Sequence, residues 1–504
     1  MARVVVVGAG VGGLTVAIRV AHAGHQVTVV DAAADVGGSL HGYERDGFVF
    51  DTEATALHLP AVFRDLFLTT ARRRSGAALE DVVELSALSP ATRYRWPDSV
   101  TVDVPTANHR RAANAFGQAM GGTAARDWTA LSERASQMWA LVRPSVLDQE
   151  FPGATVISRR WGPAGIRTVA PYSSLRRLGT RYLADPRLRS VLDTVATDQG
   201  NDPRRAAAAM AMLTYAAQTF GVWHVGGGLR ELARAMHSRA LDLGAEFLLG
   251  TEVVAVRTDL QGARGVDLVD GSTLDADAVV SDVDVWQLHQ RLVDDRRAGA
   301  YRKLLARSTP SAGRFRLFVA LRGRSPQAAP LTVLFPDRSD AELDAVFGTR
   351  PAPSDDPTIS ISAPDDPRMS PDEDHTAWTV SVLAPIHDPV NGFDWDAPGI
   401  ADAYAERLID RLDRAGLDVR SRLVWQEHRT PADVERATLA RGGAVGGIAD
   451  TGPRTRPIQR RAANRSPVPG LFVVGRGARP GPWLPVVAMG ANLAAASVVD
   501  HLTR

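Results

Sequence analysis

Residues 3–13 read Arg3-Val4-Val5-Val6-Val7-Gly8-Ala9-Gly10-Val11-Gly12-Gly13, and this stretch decides the fold. The β-branched run bounded by glycine is the pattern of a parallel strand covered on both faces. Leu14, Ile18 and Ala21 then recur at helical spacing, and Gly24 is placed to stop that helix. A second strand, residues 27–30, ends in Asp31. The intervening glycines spell G-x-G-x-x-G, with Val11 and Gly12 inside the motif. Gly8 permits the tight turn, Gly10 lets backbone approach a pyrophosphate, and Gly13 allows close helix–strand packing. The helix N-terminus offers free N–H groups and a positive dipole end to phosphates. Asp31, 18 residues beyond Gly13, is placed to accept hydrogen bonds from ribose hydroxyls. Strand, loop, helix, strand and acid together predict a dinucleotide-binding βαβ unit, a glycine-rich packing turn being the bland alternative.

Outward from this unit the pattern changes. Residues 112–217 are rich in Ala, Arg and Leu and punctuated by proline, which predicts a largely helical insertion. Residues 229–243 read as an amphipathic helix, followed by short strands at 246–249, 252–257, 265–268 and 278–281. Residues 314–321 alternate apolar and polar side chains, as do parts of 331–335, 358–361 and 379–384, the mark of half-buried strands in a second sheet. Residues 470–502 repeat the opening style of strand, glycine-rich turn and helix. The dinucleotide domain is therefore expected to be assembled from separated pieces of chain.

Composition narrows the chemistry. The 504 residues carry 58 basic and 57 acidic side chains, so no net field draws nucleic acid or anionic lipid. Lys303 is the sole lysine, and arginine supplies the remaining basic charge. Cysteine is absent, which excludes disulfides, thiolate nucleophiles, iron–sulfur clusters and sulfur-tethered flavin. No His-E-x-x-His or comparable ligand spacing occurs, so no metal site is expected. The opening valine run is too short for a signal-peptide core, and no unbroken apolar run approaches the ~18 residues of a membrane span. A cytoplasmic protein is expected, with peripheral membrane contact left open.

Further motifs follow. Val36-Gly37-Gly38 comes soon after Asp31, and Gly47-Phe48-Val49-Phe50-Asp51 follows it. Phe220-Gly221-Val222-Trp223 leads to Gly226-Gly227-Gly228-Leu229, and residues 278–284 read Ala-Val-Val-Ser-Asp-Val-Asp. Val382-Leu383-Ala384-Pro385 and residues 469–481, Pro-Gly-Leu-Phe-Val-Val-Gly-Arg-Gly-Ala-Arg-Pro-Gly, complete the series. In this order they resemble the carotenoid (phytoene) desaturase-like group of the flavin amine oxidase superfamily. The resemblance spans most of the chain and implies FAD. It assigns Gly8, Gly10, Val11, Gly12, Gly13, Asp31, Gly37, Gly38, Ser39, Val253, Gly475 and Arg476 to the cofactor. Pro485 and Val486 would join them at the head of a last helix, whose N–H groups favour the charge of reduced flavin. The implied fold class is α/β. A Rossmann-like FAD-binding domain would comprise 1–70, 221–300 and 445–504. A mixed-sheet substrate domain would take 71–220 and 301–444, including the helical insertion at about 110–219.

Four departures from the desaturase pattern fall beside the expected flavin or substrate. Ser39 stands where the family usually has arginine. Thr52-Glu53-Ala54-Thr55 replaces A-G-P-T and brings a carboxylate near the ring. Trp223 is followed by His224-Val225, and residues 482–487 read Pro-Trp-Leu-Pro-Val-Val where small residues are usual. Glu53 and His224 are thus the candidates for a catalytic proton, and Trp223 and Trp483 for the substrate wall. Each has a plainer reading: an arginine-paired carboxylate, a structural hydrogen bond, or core packing. The resemblance implies dehydrogenation of a C–C bond in an apolar isoprenoid or polyene, with oxygen or a quinone as electron acceptor. A compact polyketide-like substrate for an oxidoreductase or cyclase, a non-redox flavin isomerase and a flavin-bound scaffold are the alternatives. Amine oxidation fits the middle and C-terminal motifs less well.

Overall fold

A computed structural model describes residues 1–53, 55–71, 77–450 and 461–503. Ala54, within the departing tetrapeptide, and residues 451–460 of the expected third cofactor segment lie outside them. The chain opens with β1 (Arg3–Val7), α1 (Val11–His22) and β2 (Gln26–Asp31). After β3 (Thr92–Arg95) and β4 (Thr101–Val104), helices fill most of the stretch from His109 to Phe220. Then come α2 (Arg230–Asp242), β5 (Glu246–Leu249) and β6 (Ala278–Ser281). The second sheet is completed by β7 (Gly313–Arg322), β8 (Leu331–Leu334), β9 (Ile359–Ser362) and β10 (His375–Ala384). The chain ends with α3 (Ile400–Arg414), β11 (Leu423–Arg429), β12 (Leu471–Val473) and α4 (Leu484–Leu502).

The first sheet is parallel, in the order β5-β2-β1-β6-β12. Its strands come from three distant parts of the sequence, and both faces are covered. Val4 and Val6 pack with α1 and α4, while Val5 and Val7 pack on the side of Trp286 and Leu288. Burial on both sides explains the continuous valine run, since neither face can be polar.

The second sheet has the order β11-β7-β10-β9-β8-β3-β4. Along β7, Phe315, Leu317 and Val319 face α3 and join Tyr404, Leu408 and Ile409 in one core. The intervening residues face the other way: Phe318 and Ala320 meet Phe48 and Phe50, while Arg314 and Arg316 turn toward a cavity. The aromatic contact ties the hairpin of Gly42–Arg45 and Phe48–Asp51 to the second sheet, with the Phe50 and Phe318 ring centroids 5.3 Å apart. Burying each such ring contributes about 1.5–3 kcal/mol. Asp51, the last residue of the same motif, accepts the Leu229 N–H at 2.7 Å and so anchors the head of α2.

The helical region has its own core around Phe116, Trp128, Leu131 and Met138. Helix α4 is long and apolar enough to cross a bilayer, yet 61% of its apolar window is buried. Ala488, Ala491, Ala494 and Val498 pack in the same core as Leu14 and Ile18 of α1. Its apolarity is that of a central helix.

Candidate flavin site and substrate cavity

The glycine loop is held open by its own backbone. The Gly8 N–H donates to the Val30 carbonyl at 2.8 Å, and the Gly37 N–H donates to the Ala9 carbonyl at 2.9 Å. Asp31 accepts the Ala9 N–H at 2.6 Å on one oxygen and the Ala33 N–H at 2.8 Å on the other. Gly37 lies at φ 115°, where a side chain is strained. A Cβ on Gly38 would come within 3.2 Å of the Gly10 Cα, so the doublet does run close against the first glycine loop. A Cβ on Gly13 would be driven into the Gly8 carbonyl oxygen, and this glycine lets α1 sit down on the strand.

Asp282, which follows β6, is the acid that the motif reading passed over. Its Oδ2 accepts the Gly13 N–H at 2.9 Å. A Cβ on Gly10 or Gly12 would lie 2.5 Å from its carboxylate oxygens. Burial above all pushes this carboxyl up to about 7; the Gly13 N–H and Arg476 oppose the shift, and Asp31 reinforces it.

The cavity beginning at this loop has a volume of about 1020 Å³, at the top of the roughly 300–1,000 Å³ of a single small-molecule site. Gly8, Gly10, Val11, Gly12, Asp31, Gly38, Ser39, Val253, Gly475 and Arg476 line this cavity. Gly13 and Gly37 stand behind that wall and shape it. Pro485 and Val486 are not part of the cavity lining. Both are buried in the first turn of α4, and their neighbours Leu484 and Val487 reach the cavity instead. Helical periodicity turns those two positions outward.

Of the candidate substrate and catalytic residues, the structure brings Glu53 and Trp483 to the cavity. Glu53 accepts a hydrogen bond from Arg476 Nη1 at 2.6 Å, and the same nitrogen donates to the Val445 carbonyl at 3.1 Å. The Trp483 ring lies 5.5 Å from that of His58. His58 also lines the cavity; its Nδ1 has no hydrogen-bond partner, and burial lowers its pKa to about 4. Nothing in the sequence around His58 marked it, because its position depends on the short strand Leu57–His58 pairing with Val222–Val225.

His224 and Trp223 lie outside the cavity lining. His224 Nε2 lies 2.8 Å from Asp366 Oδ2, which also accepts the Gly227 N–H at 2.6 Å. Burial alone would raise the Asp366 carboxyl, but Arg368, Gly227 and His224 hold it well below the usual carboxylate range. This is a structural cluster. Trp223 donates its indole N–H to the Phe220 carbonyl at 2.9 Å and carries the Arg64 guanidinium over its ring at 5.5 Å. Strand alternation turns Trp223 to the face opposite Val222, while His224 is held by Asp366, and of Val222–Val225 only Val222 reaches the cavity.

The glycine cradle, the strand-terminal Asp31 and a cavity that begins at the head of α1 fit a bound dinucleotide. Residues 11–396 match the family described as flavin containing amine oxidoreductase. The chain belongs to that family. Its cofactor is FAD, and it is an FAD-dependent oxidoreductase. Among similar proteins of this flavin family are a 4,4'-diapolycopene oxygenase of Methylomonas sp, 29% identical over 99% of this chain and 98% of its own length, and a hydroxyneurosporene desaturase of Rubrivivax gelatinosus, 31% identical over 99% and 94%. An all-trans-zeta-carotene desaturase of Myxococcus xanthus is 30% identical over 100% and 93%. A solved putrescine oxidase with bound putrescine shares the fold, with a TM-score of 0.64, 14% identity and coverage of 100% and 99%.

One cluster elsewhere brings possible metal donors together: His387, Asp394 and Asp396 have ligand atoms within 4.8 Å of one another. Asp396 is already engaged by Arg436 at 2.9 Å.

Proposed function

We propose that the protein dehydrogenates a C–C bond of an elongated, largely apolar substrate of the polyene class. The observation that carries this reading is the continuity of one cavity from the glycine loop to an apolar wall built by Val191, Val195, Leu213, Ala217, Trp483 and Val487. When bound, FAD supplies a two-electron acceptor whose N5 takes hydride from the substrate. The chain's own work is to hold the reacting C–H bond in place and to exclude water.

Glu53 is the proposed acceptor of the second hydrogen, as a proton. Its carboxylate lines the cavity, and Arg476 fixes its orientation. Amine oxidation is disfavoured on electrostatic grounds. On the sheet wall Arg316 and Arg429 border the cavity with no carboxylate at ion-pair distance among the described residues, while Arg314 and Arg476 pair with Asp198 and Glu53. A protonated amine would meet a repulsive surface there. The names of the similar desaturases and oxygenases support a polyene, and turnover then needs oxygen or a quinone to reoxidise the cofactor.

The test is anaerobic titration of FAD-loaded protein with phytoene in detergent. Bleaching of the flavin band with a longer-conjugated product is the expected result. A flavin that stays oxidised with phytoene, yet is reduced by dithionite, would turn the search to compact polyketide-like substrates.

A further inference from the structure

The sheet floor of the cavity is polar where a hydrocarbon site would be apolar. Arg429 of β11, Arg316 of β7, Ser381 of β10 and Ser360 of β9 are successive register partners across four strands. Directly opposed residues in antiparallel pairs share a face, and all four line the cavity. Their strand neighbours on the other face, Phe315, Leu317, Val380 and Ile359, fill the core. The polar row is therefore a local strip on a face that Phe318 and Ala320 continue as apolar surface.

Within that row Arg316 stands out. Its residue is only 1% exposed, and Nε and Nη1 have no hydrogen-bond partner. Neighbouring cations are provided for: Arg314 pairs with Asp198 at 2.7 Å, and Arg476 pairs with Glu53 at 2.6 Å. Among the described residues neither Arg316 nor Arg429 has a carboxylate at ion-pair distance. Burial lowers the Arg316 pKa to about 9, so it remains a cation at neutral pH. A buried cation in the wall of a ligand cavity, with donors that the protein itself leaves unmet, calls for an acceptor from the ligand, since leaving a buried charge without one is costly.

We infer that Arg316, flanked by Arg429, binds a carboxylate carried by the substrate, so that an apolar chain with an acidic end is held more tightly than the hydrocarbon alone. This deepens the proposed polyene reading and rests on the same cavity receiving the substrate. The serines of the row extend the polar strip toward β9, and the helical wall opposite takes the apolar chain. Guanidinium is suited to the role because it stays charged when buried and its planar donors match carboxylate oxygens.

The experiment compares all-trans-retinoic acid with its methyl ester as ligands of the FAD-loaded protein, read by quenching of tryptophan fluorescence. The acid is expected to bind about tenfold or more tightly than the ester. In Arg316→Gln that ratio falls to near one, while Arg316→Lys, which restores a cation, keeps a preference for the acid. Retained flavin absorption shows that each variant is folded. Equal binding of acid and ester by the unmodified protein, or an acid preference that survives in Arg316→Gln, would overturn the proposal. So would loss of FAD from Arg316→Gln with the acid preference unchanged, which would give the arginine to the cofactor. The measurement needs no turnover, so a failure of dehydrogenation is distinguishable from a failure of acid recognition.

Discussion

The carboxylate of Asp282 accepts the backbone N–H of Gly13 at 2.9 Å, across 269 residues of sequence. It thus occupies the head of the same helix that attracts the cofactor pyrophosphate. Asp31, Asp284 and Arg476 are the charged groups that act on this corner, with Arg441 acting on Asp284. The Asp282 carboxyl titrates near 7, well above an ordinary aspartate. Folding therefore takes up a proton at Asp282. Its penalty is absent below the ordinary carboxylate value, grows as pH rises toward about 7, and is complete above that.

A pyrophosphate beside Asp282 raises its pKa further, so FAD binding takes up a proton as well. FAD affinity should fall as pH rises above about 7, by at most tenfold per pH unit. Flavin fluorescence titration of apoprotein from about pH 6 to about 9 measures it. Asp282→Asn should flatten the profile and tighten FAD at the alkaline end. A flat profile in the unmodified protein would rule the linkage out.

Gly13 carries the close packing of α1 on β1. Gly13→Ala puts a methyl into the Gly8 carbonyl, a backbone atom that cannot swing aside. The variant should purify without flavin, seen as loss of the visible flavin band relative to protein absorbance. Full flavin content would show that α1 can shift without harm.

Phe50 is 1% exposed and sits among Phe48, Phe318 and Trp425 where the Gly42–Asp51 hairpin packs on the second sheet. Phe50→Ala should cost about 3–5 kcal/mol, the range for truncating a buried aromatic. Urea denaturation followed by tryptophan fluorescence gives the shift in midpoint. A loss under about 1 kcal/mol would mean the interface collapses around the cavity.

His224 gives a sharper contrast. Its partner Asp366 is tied to backbone and to Arg368, away from the cavity. His224→Gln should lower stability by about 1–3 kcal/mol, the worth of a hydrogen bond to a charged group. The rate of anaerobic flavin reduction should stay within about twofold. A hundredfold drop in that rate would return His224 to the chemistry.

Glu53→Gln tests the proposed proton acceptor. Gln can still accept the Arg476 hydrogen bond, so the fold and the flavin should survive. Flavin reduction by substrate should slow by about 10²-fold, the usual contribution of a positioned base. An unchanged rate would leave Glu53 as the counterion of Arg476 alone.

Much of this protein was settled by local sequence. The valine run, the spaced glycines and Asp31 act over adjacent residues, because a tight turn, a helix start and a close backbone approach are short-range demands. The alternation along residues 314–321 likewise announced a two-faced strand. It did not say which face Arg314 and Arg316 would present, or to what. Opposite faces of a strand are equivalent until another element covers one of them, and here α3 takes the phenylalanine side. Asp282 at the Gly13 N–H, Glu53 on Arg476 and His58 beside Trp483 are pairings of residues hundreds of positions apart. Pro485 and Val486 lie off the face of α4 that Leu484 and Val487 turn to the cavity, and α4 has the composition of a membrane span but the burial of a core helix. Sequence determined the cofactor loop; packing alone decided which charges meet in the cavity, because electrostatic partners are chosen by distance in space and not along the chain.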